Sequence, residues 1–135
     1  MKTENRSHCP ITFALDLFGD KWSLLILRDI LFKNKKYYQE FSKSEEGIAT
    51  NILADRLLKL ENNGFITKTK DETNKKQNIY SPTKKSQDLI PMLVEMIAWS
   101  AQYDPKTGVP PKIKKQLIHD KNGYIKQVMA KTAGS

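Results

Sequence analysis

A chain of 135 residues with 39% hydrophobic and 28% charged content reads as one globular domain, long enough for a real core and too rich in apolar residues to be disordered. No apolar run is long enough to span a membrane, since Leu24-Leu-Ile-Leu27 is cut off by Arg28 and Asp29, and the amino terminus lacks the apolar stretch of a signal peptide. One cysteine excludes an intrachain disulfide and fits a reducing cytoplasm, and the net charge of +8 is uneven: 16 Lys and Arg oppose 14 Asp and Glu over residues 1–104, but 7 oppose 1 over residues 105–135.

Pro10 suits the first turn of a helix running to Phe18, with Ile11, Ala14, Leu15 and Phe18 on one face and Gly19 as its stop. Asp20 is a good cap for the next helix, Lys21 to Phe32, whose apolar residues on most sides mark it as the central buried one. Asn34 can take the left-handed conformation that closes it. A short helix from Tyr37 to Ser42 follows, with Tyr38 and Phe41 as inward anchors. A turn at Glu46-Gly47 then leads into an amphipathic helix from Thr50 to Asn62, stopped by Gly64. Leu53, Leu57 and Leu60 share its apolar face; Asn51, Asp55, Lys59 and Asn62 are expected to point outward.

Two extended segments, Phe65 to Lys70 and Gln77 to Ser81, flank the polar loop Asp71 to Lys76 and predict a β-hairpin with a charged tip. Thr83 can cap a long helix to about Tyr103, which Pro91 should bend or restart. Its stripe of Leu89, Leu93, Met96, Ile97 and Ser100, widened by Ile90, Val94 and Trp99, is broader than a small core needs and suggests a partner surface. Asp104 to Pro111 reads as a linker. Lys112 to His119 and Tyr124 to Lys131 show helical periodicity, separated by Asp120-Lys-Asn-Gly123. The expected division is a winged helix-turn-helix and dimerisation region over 1–104 and a basic, helical extension over 105–135.

Helix, turn, helix and hairpin in that order is the layout of a winged helix-turn-helix, in which the second helix enters the DNA major groove. Several motifs also resemble one family. Cys9-Pro10 with Gly19-Asp-Lys-Trp-Ser-Leu-Leu-Ile-Leu-Arg-Asp-Ile-Leu31 is similar to the opening of the HxlR-type winged-helix transcriptional regulators. Gly47-Ile, Leu53, Arg56-Leu57, Leu60-Glu61 and Gly64-Phe-Ile66 resemble its recognition helix. Tyr80-Ser-Pro-Thr83 and Leu89-Ile-Pro-Met-Leu93 resemble its last strand-to-helix junction. The resemblance covers about Cys9 to Tyr103. It implies a mainly α fold with a β-hairpin wing, a homodimer paired through its first and last helices, and a bacterial repressor or activator bound to a pseudo-palindromic operator in double-stranded DNA. Three positions depart from the family pattern: Tyr37-Tyr38 replaces a basic–aromatic pair, Leu58 stands where a basic residue is common, and Lys75-Lys-Gln occupies a wing tip that usually carries proline.

Thr50 and Asn51, at the start of the recognition helix, are the candidates for base edges, with helix capping as the plainer role. Asp55 lies beside them. Arg56 can hold a phosphate or brace the helix through an ion pair. Lys59 is expected to meet phosphate, as are Lys36 and the wing residues Lys68, Lys70, Lys75 and Lys76; lysines also keep an exposed hairpin from pairing edge to edge. Cys9, placed by Pro10 at a helix start, is a candidate redox residue because a helix N-terminus favours thiolate, against the plainer reading of an inert thiol. No catalytic arrangement, metal-ligand spacing or cofactor loop stands out, so neither enzyme activity nor a cofactor is expected, and a small-molecule effector stays unidentified. The alternative is a winged-helix protein-interaction module without sequence-specific DNA binding, to which Leu58 and the acidic Glu45, Glu46 and Asp55 lend some footing.

Overall fold

The computed structural model describes residues 7–133; most of the amino-terminal stretch expected to lack the apolar run of a signal peptide lies outside them. The chain forms two compact units, one ending at Thr83 and the other beginning at Lys84.

The first unit comprises α1 (Pro10–Phe18), α2 (Lys21–Leu31), α3 (Tyr38–Ser42), α4 (Thr50–Asn62), β1 (Ile66–Lys70) and β2 (Asn78–Pro82). Helix α2 is the centre of its core. The Asp20 carboxylate caps it by accepting from the Ser23 amide at 3.0 Å and the Ser23 hydroxyl at 2.7 Å, and Ile26, Leu27, Ile30 and Leu31 are buried. Leu53, Leu57 and Leu60 of α4 close over it with Phe41 of α3, Ile66 of β1 and Tyr80 of β2. Edge-to-face ring pairs tie in the rest: Phe18 with Phe65 at 6.0 Å and Phe41 with Tyr80 at 5.9 Å. On β2 it is therefore Tyr80, more than Ile79, that reaches the core. The expected apolar face of α1 also differs. Phe18 is buried, but Ile11 and Leu15 are exposed, together with Phe13.

Two turns demand glycine. Gly47, ahead of α4, has φ +70° and Gly64, behind it, φ +78°. At Gly64 the chain closes the helix with the Phe65 amide donating to the Leu60 carbonyl at 2.9 Å, the left-handed stop that a Cβ would strain. The chain then enters an antiparallel hairpin in which Ile66 pairs with Pro82, Lys68 with Tyr80 and Lys70 with Asn78.

The second unit comprises α5 (Lys84–Gln87), α6 (Ile90–Tyr103), α7 (Pro111–His119) and α8 (Lys121–Ala133). The single helix expected from Thr83 to Tyr103 is thus two. Pro91 falls in the first turn of α6, where its missing amide is harmless, and the helix restarts there. Helix α6 buries Ile90, Leu93, Val94 and Ala101 and packs with α7 and α8, which contribute Leu117 and Val128. The Lys121 ammonium meets the Glu95 carboxylate at 2.5 Å. The break between the last two helices is shorter than predicted: the Asp120 carboxylate accepts from the Gly123 amide at 3.0 Å, so Lys121 to Gly123 are already helical.

Candidate nucleic-acid interface

The connection from α3 to α4 is held by a buried charge. Asp29, only 2% exposed, accepts from the Arg28 guanidinium at 2.7 and 3.0 Å, from the Ser44 hydroxyl at 2.6 Å and from the Lys35 ammonium at 3.3 Å. Arg28 also forks onto the Glu46 carboxylate at 2.7 and 3.0 Å. A carboxylate this deep survives only because each lone pair is met, and the result pins Ser44 and Glu46, the turn preceding the recognition helix, to α2. The Tyr38 hydroxyl donates to the Thr50 carbonyl at 3.1 Å, fixing α3 against the first turn of α4.

Thr50 and Asn51 are both exposed, and neither caps α4: the cap position is Ala49, which has no side-chain acceptor. Their side chains are free for other partners. With Leu53, Leu57 and Leu60 buried, the outward face of α4 consists of Asn51, Ala54, Asp55, Leu58 and Asn62, all exposed. Lys59, expected on that face, is half-buried at its flank because it lies about 100° further round the helix than Leu58. Leu58 is the residue that the outward face carries instead. The sequence marks Leu58 as a missing cation and as footing for a protein contact, but not as part of the outward face, although its 3.6-residue spacing from Asn51, Asp55 and Asn62 carries that signal.

Arg56 is engaged within the protein. Its Nε donates to Asp20 at 3.0 Å and its Nη1 to Asp55 at 2.5 Å, joining α4 to the cap of α2. Burial alone would raise the Asp20 pKa, but hydrogen bonds from Ser23 and Arg56 outweigh it and hold the carboxyl below its ordinary value.

The wing is bound to the helical part through the Tyr37 hydroxyl, which donates to Asp71 at 3.1 Å, while the Asp71 carboxylate accepts from the Thr73 hydroxyl and amide at 2.7 and 3.0 Å. That carboxylate keeps the Tyr37 phenol protonated to higher pH than usual. Lys68, Lys70, Lys75 and Lys76 are exposed along the hairpin; Lys68 lies 3.9 Å from Glu61. Lys36 is exposed too, its ammonium 5.7 Å from the centre of the Tyr37 ring. The structure therefore brings Thr50, Asn51 and Asp55 together on one helix and four lysines on the adjoining hairpin, and sets Arg56 to bracing.

Cys9 stands apart at the start of α1, exposed, in the N-cap position. The thiol makes no full capping hydrogen bond, but the Thr12 amide and hydroxyl and the Ile11 amide face it and lower its pKa below the ordinary thiol value.

Residues 17–107 match the model of the HxlR-like helix-turn-helix family. Among curated proteins the chain is 33% identical over 88 residues to the uncharacterized HTH-type transcriptional regulator sll1512 of Synechocystis, covering 65% of this chain and 64% of that protein. It is 30% identical over 98 residues to the uncharacterized HTH-type transcriptional regulator Mb3122 of Mycobacterium bovis, covering 73% of this chain and 61% of that one. The chain thus spans less than two thirds of the length of these relatives. Among solved structures it is similar to PA1607, a candidate transcription factor, with TM-score 0.71 and 34% identity over 81% of this chain and 76% of that one. It is also similar to the redox regulator HypR in its oxidized form, with TM-score 0.61 and 26% identity over 70% of this chain and 96% of that one.

Proposed function

The chain belongs to the HxlR-like helix-turn-helix family, and we propose that it acts as a homodimeric, sequence-specific DNA-binding transcriptional regulator. The observation that carries this reading is the presentation of α4: its turn is pinned by the Asp29 cluster, its outward face is left uncovered, and a lysine-bearing hairpin stands beside it. A helix displayed in this way fits the major groove, and the wing lysines suit the phosphates next to it. Asn51 and Thr50 face base edges at the leading end. Lys36, Lys68, Lys70, Lys75 and Lys76 supply sequence-independent attraction.

A second copy of the chain accounts for the apolar surface that the core does not use. Ile11, Phe13 and Leu15 on α1 are exposed, as are Met96, Trp99 and Tyr103 on α6, where the last two rings lie 5.1 Å apart at a 45° tilt. Pairing two copies presents two recognition helices to a pseudo-palindromic site. Cys9 is the redox element of this reading: an exposed thiol with a lowered pKa suits attack on peroxides or disulfides, giving a sulfenic acid, a mixed disulfide or a Cys9–Cys9 bridge between protomers.

The test is fluorescence anisotropy with a labelled fragment from upstream of the coding region and a scrambled fragment of equal length, at two salt concentrations. Specific binding appears as a preference on the order of a thousandfold that weakens steeply with salt. Weak, equal binding to every fragment, including those enriched from a random pool, would return the chain to the protein-interaction alternative.

A further inference from the structure

Leu58 is 54% exposed at the middle of the outward face of α4, with Ala54 one turn before it and Asn51, Asp55 and Asn62 around it. The core has no use for it, since Leu53, Leu57 and Leu60 on the opposite side are buried. The face carries no cation either: Arg56 is held by Asp20 and Asp55, and Lys59 lies half-buried at the flank. Such a face gains little from phosphate, and the Asp55 carboxylate opposes close approach to it. What it offers base edges is amides at Asn51 and Asn62, a carboxylate, and methyl groups at Ala54 and Leu58. The apolar feature of the major groove is the C5-methyl group of thymine.

Resting on the DNA-binding reading above, we propose that Leu58, together with Ala54, is a specificity-determining residue that selects thymine by burying its C5-methyl group. Residues four apart rise about 6 Å along a helix, and bases about 3.4 Å along a strand, so the pair addresses thymines within about two base steps of each other. Specificity from methyl contact suits a face without cations, because it discriminates bases without raising affinity for all DNA.

The experiment starts with selection of a binding sequence from a random duplex pool by the full-length chain. Each thymine of the selected site is then replaced by deoxyuracil, which removes only the methyl group. Wild-type protein should lose about fourfold in affinity at one or two thymines in each half-site, the value of one buried methyl. Leu58→Ala should bind the thymine site more weakly and be indifferent to uracil at one of those positions, with an unchanged salt slope showing that the phosphate contacts persist. Uracil tolerated throughout, or sensitivity undiminished in Leu58→Ala, would overturn the assignment while leaving the DNA-binding reading intact. Unchanged selection by Leu58→Ala would likewise overturn it and leave Leu58 to contact with another protein. If the wild-type chain enriches no sequence, the DNA-binding reading fails and this inference with it.

Discussion

The side chains around Asp29 show how charge can fix geometry without adding much stability. Arg28 holds the Glu46 carboxyl at about 2, well below the ordinary glutamate value. A carboxylate whose folded pKa is depressed stabilises the fold above its unfolded pKa, and that contribution disappears as pH falls from about 4.3 toward 2. Glu46→Gln should therefore lower the melting temperature by about 2–4 °C at pH 6, the modest size reflecting solvent screening of a side chain 35% exposed. The difference should shrink as the pH approaches 3 in calorimetry of both proteins. Cys9 invites a separate measurement. Its lowered pKa predicts that alkylation by iodoacetamide proceeds faster near neutral pH than for a free thiol, and that peroxide changes operator affinity in wild type but not in Cys9→Ser. Equal reactivity to glutathione and no oxidant response would mark the thiol as inert. The sequence offered bracing as one of two roles for Arg56, but neither its partner Asp20 nor the lysine-bridged Asp29 cluster was legible there, because Asp20 and Arg56 lie 36 positions apart and Arg28 and Glu46 lie 18 apart. Only folding makes them neighbours.

Among the elements, the proposed function assigns base reading to α4 and phosphate contact to the hairpin. The bounds of α4 follow from the chain itself, since Gly47 and Gly64 bracket a run whose leucines recur at helical spacing. Its burial pattern was equally legible, apart from the placement of Lys59 on the outward face where Leu58 stands. In the hairpin, Lys75→Gln with Lys76→Gln should weaken binding to native and scrambled DNA alike and reduce the slope of log affinity against log salt by about 2. Asn51→Ala should instead relax the preference between sequences and leave that slope unchanged. Anisotropy titrations at three or more salt concentrations separate the two, and identical behaviour of both variants would refute the division of roles.

For the molecule as a whole, the proposed activity depends on a second copy. Trp99, 66% exposed and in tilted ring contact with Tyr103, is the largest side chain that α6 leaves to solvent. Trp99→Glu should yield a folded monomer by light scattering and lower operator affinity by at least about a hundredfold, because one recognition helix then binds without the effective concentration supplied by its twin. A dimer that survives the substitution would place the interface elsewhere. The extension after Tyr103 bears on the same question. Its two helices pack with α6 in the second unit and bury Leu117 and Val128, so they cover part of that helix and leave Met96, Trp99 and Tyr103 uncovered.

The sequence by itself determined the order of the winged-helix elements, the glycine stops and the leucine face of α4, because each depends on local backbone preference or on a period of a few residues; it left Pro91 either to bend the last long helix or to restart it. It also held enough motif to identify the family. The tertiary structure alone decided which apolar residues stay outside, which charges are consumed by bracing and which are left for a partner. Those outcomes depend on contacts between residues far apart in the chain, where burial and ion pairing are settled by packing and not by neighbours in sequence. Thus Arg56 is spent on Asp20, Leu58 remains in solvent, and Ile11 and Leu15 look away from the core although their spacing suits burial.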